Sequence, residues 1–161
     1  MKPREATEAD LAGIHAIYDH EVLHGTATFD TLPRTPEQRL EWLRAGGGRY
    51  PLLVAEEEGR ILAWARLYAW SPRPAYDRTA ENAVYVHADA RRRGLGRLLM
   101  AELLRLARLR GVRVVVARIV EGNPASLQLH EALGFRTIGV MREVGEKFGR
   151  LLDVRLMDLH L

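Results

Sequence analysis

The sequence predicts an α+β fold in three layers, with a central, mixed but largely antiparallel sheet between helices. Three observations carry that expectation. Helix-period and strand-like segments alternate along all 161 residues without a strict βαβ rhythm, which argues against a purely parallel sheet. Two pairs of strand candidates flank short glycine-bearing turns, the mark of antiparallel hairpins. An apolar fraction of 47% suffices for one core, and no linker interrupts the chain, so residues 1–161 are read as a single domain.

Taken in order, "REATEADLAGIHAIYDHEV" offers Thr7 as an N-cap with Asp10 three residues on, then Leu11, Ile14, Tyr18 and Val22 at helical spacing. "HGTATFDTLP" is a polar loop around one aromatic, Phe29. In "RTPEQRLEWL", Thr35 caps a second helix, Pro36 suits its first turn and Gln38 completes a capping box. "YPLLVAEEEGRILAWARLYAW" reads as two strands around Gly59, and "ENAVYVHADA" as a third. A leucine-rich helix then runs to about Arg110, and its Leu95, Leu98, Leu99, Leu103 and Leu106 follow the helical period of a core face. "VRVVVARIV" is a β-branched buried strand, and "EGNPASLQLHEALGF" a helix capped by Asn123 and stopped at Gly134. Two further strand candidates surround "GEKFG".

Composition excludes several classes. No apolar run approaches the roughly 20 residues of a membrane span, and the opening "MKPREATEAD" has no signal-like segment, so the chain is read as cytoplasmic with no membrane partner. With no cysteine there is no disulfide, thiolate metal site or thiol nucleophile. The six histidines are read as offering no paired ligand spacing, so no metal is expected. The net charge of +3, with 22 of 24 basic residues arginine, is too small and too interspersed with acid to suggest nucleic acid. Local clustering says more: Arg91, Arg92, Arg93 and Arg97 surround Gly94-Leu95-Gly96 just where a helix begins.

That juxtaposition has a physical meaning. A helix N-terminus carries unpaired N–H groups and roughly half a positive charge. Glycines let those amides approach an anion, and flanking arginines add charge-assisted bonds. A strand, "RRRGLG" and an amphipathic helix thus form a pyrophosphate cradle. The segment lacks the Lys-Ser/Thr of a triphosphate P-loop, and Leu99 stands where a dinucleotide fingerprint wants its third glycine. The plain alternative is a tight turn with solvated arginines.

The accompanying motifs decide between these. "ARRRGLGRLLM" resembles the acetyl-CoA pyrophosphate loop of the GNAT superfamily of N-acetyltransferases, and "NPASLQLHEALGF" is similar to its second cofactor segment. More narrowly, "TATFDTLPRTPEQRLEWL", "WSPRPAYDRTAENAVYV", "LHEALGF" and "EKFGRLLDV" resemble, in order, the phosphinothricin N-acetyltransferase branch. The resemblance implies acetyl-CoA as cosubstrate, transfer to the amine of a small amino acid or analogue (phosphinothricin, methionine sulfoximine or methionine sulfone), and a homodimer. It implies cofactor contacts from Val84, Tyr85 and Val86, from the loop Arg91, Arg92, Arg93, Gly94, Leu95, Gly96 and Arg97, and from Asn123 and Ser126.

Acyl transfer to an amine needs a base, because an α-amino group has a pKa of about 8 or above. By the same resemblance, Glu81 is the general-base candidate. His130 is either an acid for the departing thiolate or a packed histidine between Leu127 and Leu133. For the acceptor, Arg73 is the implied carboxylate contact, with Phe29, Trp70 and Tyr76 as pocket walls. Ser71 and Leu151 depart from the branch, which usually has a basic residue and a tryptophan there, and that bears on acceptor identity. Two classes of reading follow: an acetyl-CoA-dependent N-acetyltransferase acting on such an amino acid or, alternatively, on a different small amine, or a non-catalytic binder of acyl-CoA or nucleic acid using the arginine patch.

Overall fold

A computed structural model describes every residue from Met1 to Leu161. Seven strands form one sheet: β1 (Arg4–Glu5), β2 (Leu52–Glu57), β3 (Arg60–Ala69), β4 (Thr79–Val86), β5 (Val114–Val120), β6 (Arg136–Lys147) and β7 (Arg150–His160). Their spatial order is β1-β2-β3-β4-β5-β7-β6, and every neighbouring pair is antiparallel except β4–β5. Four helices cover the faces: α1 (Leu11–His24), α2 (Pro36–Arg44), α3 (Leu95–Leu109) and α4 (Pro124–Ala132).

The three layers follow from strand alternation, which sends successive side chains to opposite faces. On one face Ala63, Ala65 and Leu67 of β3 meet Leu99, Met100 and Leu103 of α3. On the other, Trp64 joins Ile14, Ile17, Tyr18 and Val22 of α1 and Trp42 of α2. Burying each of the leucine, isoleucine, valine and methionine side chains among them contributes about 1.5–3 kcal/mol, which is what holds both helix layers on.

The local expectations translate well at the helix starts. Thr35 accepts from the Gln38 amide at 3.3 Å while Gln38 accepts from the Thr35 amide at 2.9 Å. Two expectations need correction. Leu98 is 36% exposed, because the buried stripe of α3 runs through Leu95, Leu99, Met100, Leu103, Leu104 and Ala107 and leaves it beside Arg97. Strand β1 has no counterpart in the sequence reading, since two residues cannot show a period. It is anchored instead by Arg4, whose guanidinium grips Asp10 at 2.7 and 2.8 Å, holding that carboxyl down at about 2.

The feature that positions the site is an interruption. β4 and β5 pair only from Thr79↔Val114 to Glu81↔Val116. Beyond that point β4 continues against β3 as far as Val86, and β5 continues against β7 as far as Val120. The two parallel strands therefore part at Glu81, opening a wedge lined by unpaired backbone.

Candidate active site

The wedge is built largely from main chain. Trp70 donates to the Thr79 carbonyl at 3.2 Å and His87 to the Leu62 carbonyl at 2.8 Å, so odd positions of β4 point their amides at β3. The antiparallel alternation then turns Val84 and Val86 main chain toward the wedge. This corrects the expectation for Tyr85, whose amide belongs to the β3–β4 ladder. Its ring stacks on Trp64 at 4.8 Å, and its hydroxyl donates to the Ala27 carbonyl at 3.1 Å.

At the mouth of the wedge lies the arginine loop. Gly94 takes φ +79° and Arg92 φ +60°, left-handed conformations that turn the loop sharply. The first bond of α3 runs from the Leu98 amide to the Gly94 carbonyl at 3.0 Å, and no main-chain carbonyl accepts from Arg92, Arg93 or Gly94. The amides of residues 92–97 thus converge as a free donor set at a helix N-terminus. The four arginines divide. Arg91 pairs with Glu21 and Arg93 with Glu57, each at 2.7 Å, whereas Arg92 and Arg97 extend without an acid partner. Ser126 closes the other side, its amide held by Asn123 Oδ1 at 3.1 Å as the N-cap of α4. Backbone donors, two free guanidiniums and a left-handed turn fit a linked diphosphate.

His130 is fully buried, and its surroundings fix its protonation. Nδ1 donates to the Ser126 carbonyl at 2.8 Å, so the proton of the neutral ring sits there. Nε2 then accepts from Asn82 Nδ2 at 2.9 Å, and burial pushes the ring's pKa down. In this arrangement Nε2 has no proton to give. Asn82, absent from the sequence reading, ties β4 to α4 across the wedge. Its own Oδ1 is buried without a protein partner.

Glu81 stands on the opposite face of β4, where the strands part. Both its oxygens are held by Arg118 of β5, Nε and Nη2 each at 2.7 Å. The Arg118 guanidinium lies 5.9 Å from the Trp70 ring. Arg118 carries no signal in the sequence; its partner is 37 residues away, and only the fold brings them together.

The other acceptor candidates are placed unevenly. Trp70 adjoins the Glu81–Arg118 pair. Arg73 and Tyr76 sit exposed on the β3–β4 loop, and neither side chain bonds to that pair. Phe29 packs on Gly145 of β6, where a Cβ would come within 2.1 Å of the ring. Its loop is pinned by Lys147, which donates to the Thr28 carbonyl at 2.8 Å and the Glu21 carbonyl at 3.2 Å. Tyr18 also holds it through Thr28 and Asp30, both at 2.8 Å, and burial pushes that phenol up to about 12. No group of three His, Asp or Glu side chains converges for a metal. The histidine spacing does need one correction: His20 and His24 lie four residues apart, their rings 5.1 Å from one another on the last turn of α1.

Residues 14–135 match the Acetyltransferase (GNAT) family. The chain belongs to that family. It is 44% identical to the L-methionine sulfoximine/L-methionine sulfone acetyltransferase of Pseudomonas aeruginosa, over 98% of this chain and 93% of that one. It is 41% identical to the phosphinothricin N-acetyltransferase of Streptomyces viridochromogenes, over 94% and 82%. Among solved structures, a GNAT superfamily phosphinothricin acetyltransferase from Sinorhizobium meliloti in complex with acetyl-CoA superimposes with a TM-score of 0.94, at 36% identity over 99% and 88% of the two chains. The fold expectation holds, and of the two functional readings the enzyme stands: this GNAT protein is an acetyl-CoA-dependent N-acetyltransferase. No helix is long and apolar enough to cross a membrane.

Proposed function

We propose that this acetyltransferase acts on the α-amino group of a small amino acid or analogue of the methionine sulfone, methionine sulfoximine or phosphinothricin type. One observation carries the reading. A carboxylate, Glu81, stands where β4 and β5 separate, on the face of the sheet away from α3 and paired with Arg118, whose guanidinium lies 5.9 Å from the Trp70 ring. The names of the relatives point to the same acceptor class.

Acetyl-CoA supplies an acyl carbon already activated as a thioester. The chain's own part begins with grip: the amides of residues 92–97, with Arg92 and Arg97, hold the diphosphate, and Val84 and Val86 offer main-chain partners to the arm that enters the wedge. Glu81 takes the proton of the attacking amine as the N–C bond forms and the C–S bond breaks, and the thiolate leaves toward solvent to be protonated there. Donors fixed before the reaction cost no reorganisation during it. Of the two roles open to His130, its geometry favours the positioning one, holding α4 against β4 beside the wedge.

We further propose that two copies associate through the edge strand β6, where Ile138, Val140 and Val144 stand exposed near Leu151 of β7. A twelve-residue edge strand that exposes three large apolar side chains is otherwise an aggregation hazard. A cytoplasmic site of action is consistent with acetyl-CoA as cosubstrate.

The test is release of free thiol from acetyl-CoA with a panel of amines. Turnover is expected with methionine sulfone, methionine sulfoximine or phosphinothricin. Thiol release only with polyamines or peptide N-termini, and none with any amino acid or analogue, would refute the acceptor class.

A further inference from the structure

The Glu81–Arg118 pair raises a problem that the proposed reaction must solve. A base whose two oxygens each accept from a guanidinium at 2.7 Å has one lone pair of each oxygen committed, and an incoming amine meets it beside a fixed cation. Glu81 has no other hydrogen-bond partner, so Arg118 alone masks it. The two ends are unequal. The Glu81 side chain is 18% exposed and Arg118 54%, so the carboxylate is the fixed partner and the long guanidinium arm the movable one.

Resting on the acceptor class proposed above, we propose that Arg118 is a specificity-determining residue. It covers Glu81 in the free enzyme and passes its guanidinium to the acceptor's α-carboxylate, so that the base is uncovered by an amine bearing an acid group on the same carbon. The exchange is like for like. The α-carboxylate presents the same two-oxygen edge that Arg118 already holds on Glu81, and the fork of Nε and Nη2 suits both. As the guanidinium moves, the amino group, one carbon from that carboxylate, comes to the vacated Glu81. An ion pair plus a zwitterion becomes two ion pairs, and no charge is left unmatched.

An amine without the acid group meets the opposite balance. It must compete for Glu81 as a cation beside another cation, and it offers Arg118 nothing in return. Trp70, its ring 5.9 Å from the guanidinium carbon, gives the displaced arm an aromatic face to rest against. Arg73, the carboxylate contact suggested by resemblance, makes no bond to either member of the pair. Arg118 reaches Glu81 from the neighbouring strand.

The test compares L-methionine sulfone with its carboxamide, which keeps the amine and side chain but loses the negative charge. With the unaltered enzyme, kcat/KM for the acid should exceed that for the amide by roughly 30-fold or more, the scale of one charge-assisted bidentate contact. Arg118→Met keeps the apolar stem and should reduce that ratio at least about 10-fold, and Arg118→Lys, which keeps charge without the fork, should fall between. Acetyl-CoA binding by calorimetry verifies that each variant is folded. Should Arg118→Met not fold, the ratio for the unaltered chain and for Arg118→Lys decides. An acid-to-amide ratio within about threefold of the unaltered value in the variants, or no preference in the unaltered enzyme, overturns the role of Arg118 while acyl transfer to amino acids stands. Thiol release from neither acceptor overturns both together.

Discussion

The two sides of the wedge are made of different material. On the proposed cofactor side the groups on offer are backbone: the amides of residues 92–97, a left-handed Gly94 and the unpaired edges of Val84 and Val86. On the proposed acceptor side they are side chains brought from separate elements. These are Glu81 from β4, Arg118 from β5, Trp70 at the end of β3, and a loop pinned by Lys147 from the far hairpin. Backbone groups bind what is common to all substrates of such an enzyme, because they vary little with sequence. Side chains from distant strands can be exchanged one at a time, and that is where discrimination between amines can reside.

The largest expected effect separates chemistry from grip. Glu81→Gln preserves shape and removes the base, so kcat should fall roughly 10²–10⁴-fold, the usual worth of general-base catalysis. Affinity for acetyl-CoA, read by calorimetry, should move less than about threefold. A parallel loss of both would erase the distinction between the two sides.

Each side also holds one buried histidine, and they should respond in opposite ways. His130 has both nitrogens bonded, to the Ser126 carbonyl and Asn82. Replacement by leucine strands both partners and should cost about 2–3 kcal/mol in urea unfolding. His15 of α1 is wholly buried against Trp42 and Tyr18, with neither nitrogen bonded. Burial, reinforced by Arg39 and Arg34, pulls its pKa from the usual 6.5 down to about 4. The unfolded chain therefore binds a proton that the folded chain resists, and stability that is complete above pH ~6.5 should decline by up to about 3 kcal/mol as pH falls to 4. His15→Leu should flatten that slope and leave stability at pH 7 unchanged or raised.

On the cofactor side, the contrast between backbone and side chain can be measured directly. Nothing lies within 4 Å of a Cβ added at Gly94, so Gly94→Val acts only through its φ of +79°. Loop distortion should weaken acetyl-CoA binding about 10- to 100-fold, a shift of roughly 1.4–2.8 kcal/mol. Arg92→Ala, which removes one exposed charge, should cost only about threefold, and salt should reduce even that. If the arginine outweighs the glycine, the grip belongs to side chains after all.

This division also explains what could be read from sequence. The arginine loop and the α4 cap are local: all their groups fall within a few residues, and helix-terminus physics assigns them a task without knowledge of the fold. Arg118, Asn82 and Lys147 each act on partners 37 to 126 residues away, where no period or short motif reaches. Leu98 departs from its expected burial for a milder version of the same reason, since period alone does not fix the width of a buried stripe. Yet one signal was available. Lys147 is one of only two lysines in a chain that otherwise uses arginine, and the other is Lys2. A compact ammonium kept amid so many guanidiniums suits a site with room for a point donor and not for a planar fork.

That lysine gives the smallest of the expected effects and the finest probe of the acceptor side. Its ammonium is buried and bonded only to carbonyls, those of Thr28 and Glu21, and burial draws its pKa down. Lys147→Met keeps the stem and fills similar volume, leaving the two carbonyls to find water, so the loss of stability should be about 1–2 kcal/mol. The loop carrying Phe29 would lose one of its anchors while Tyr18 retains its bonds to Thr28 and Asp30. KM for the amino acid should therefore rise several-fold with kcat nearly preserved, because Glu81 and the wedge lie outside the loosened segment. The Kd for acetyl-CoA should stay within about twofold. An equal shift in acetyl-CoA affinity would mean that the pinned loop braces the arginine cradle as well, through Glu21 and its 2.7 Å bond to Arg91. The two sides would then be mechanically one.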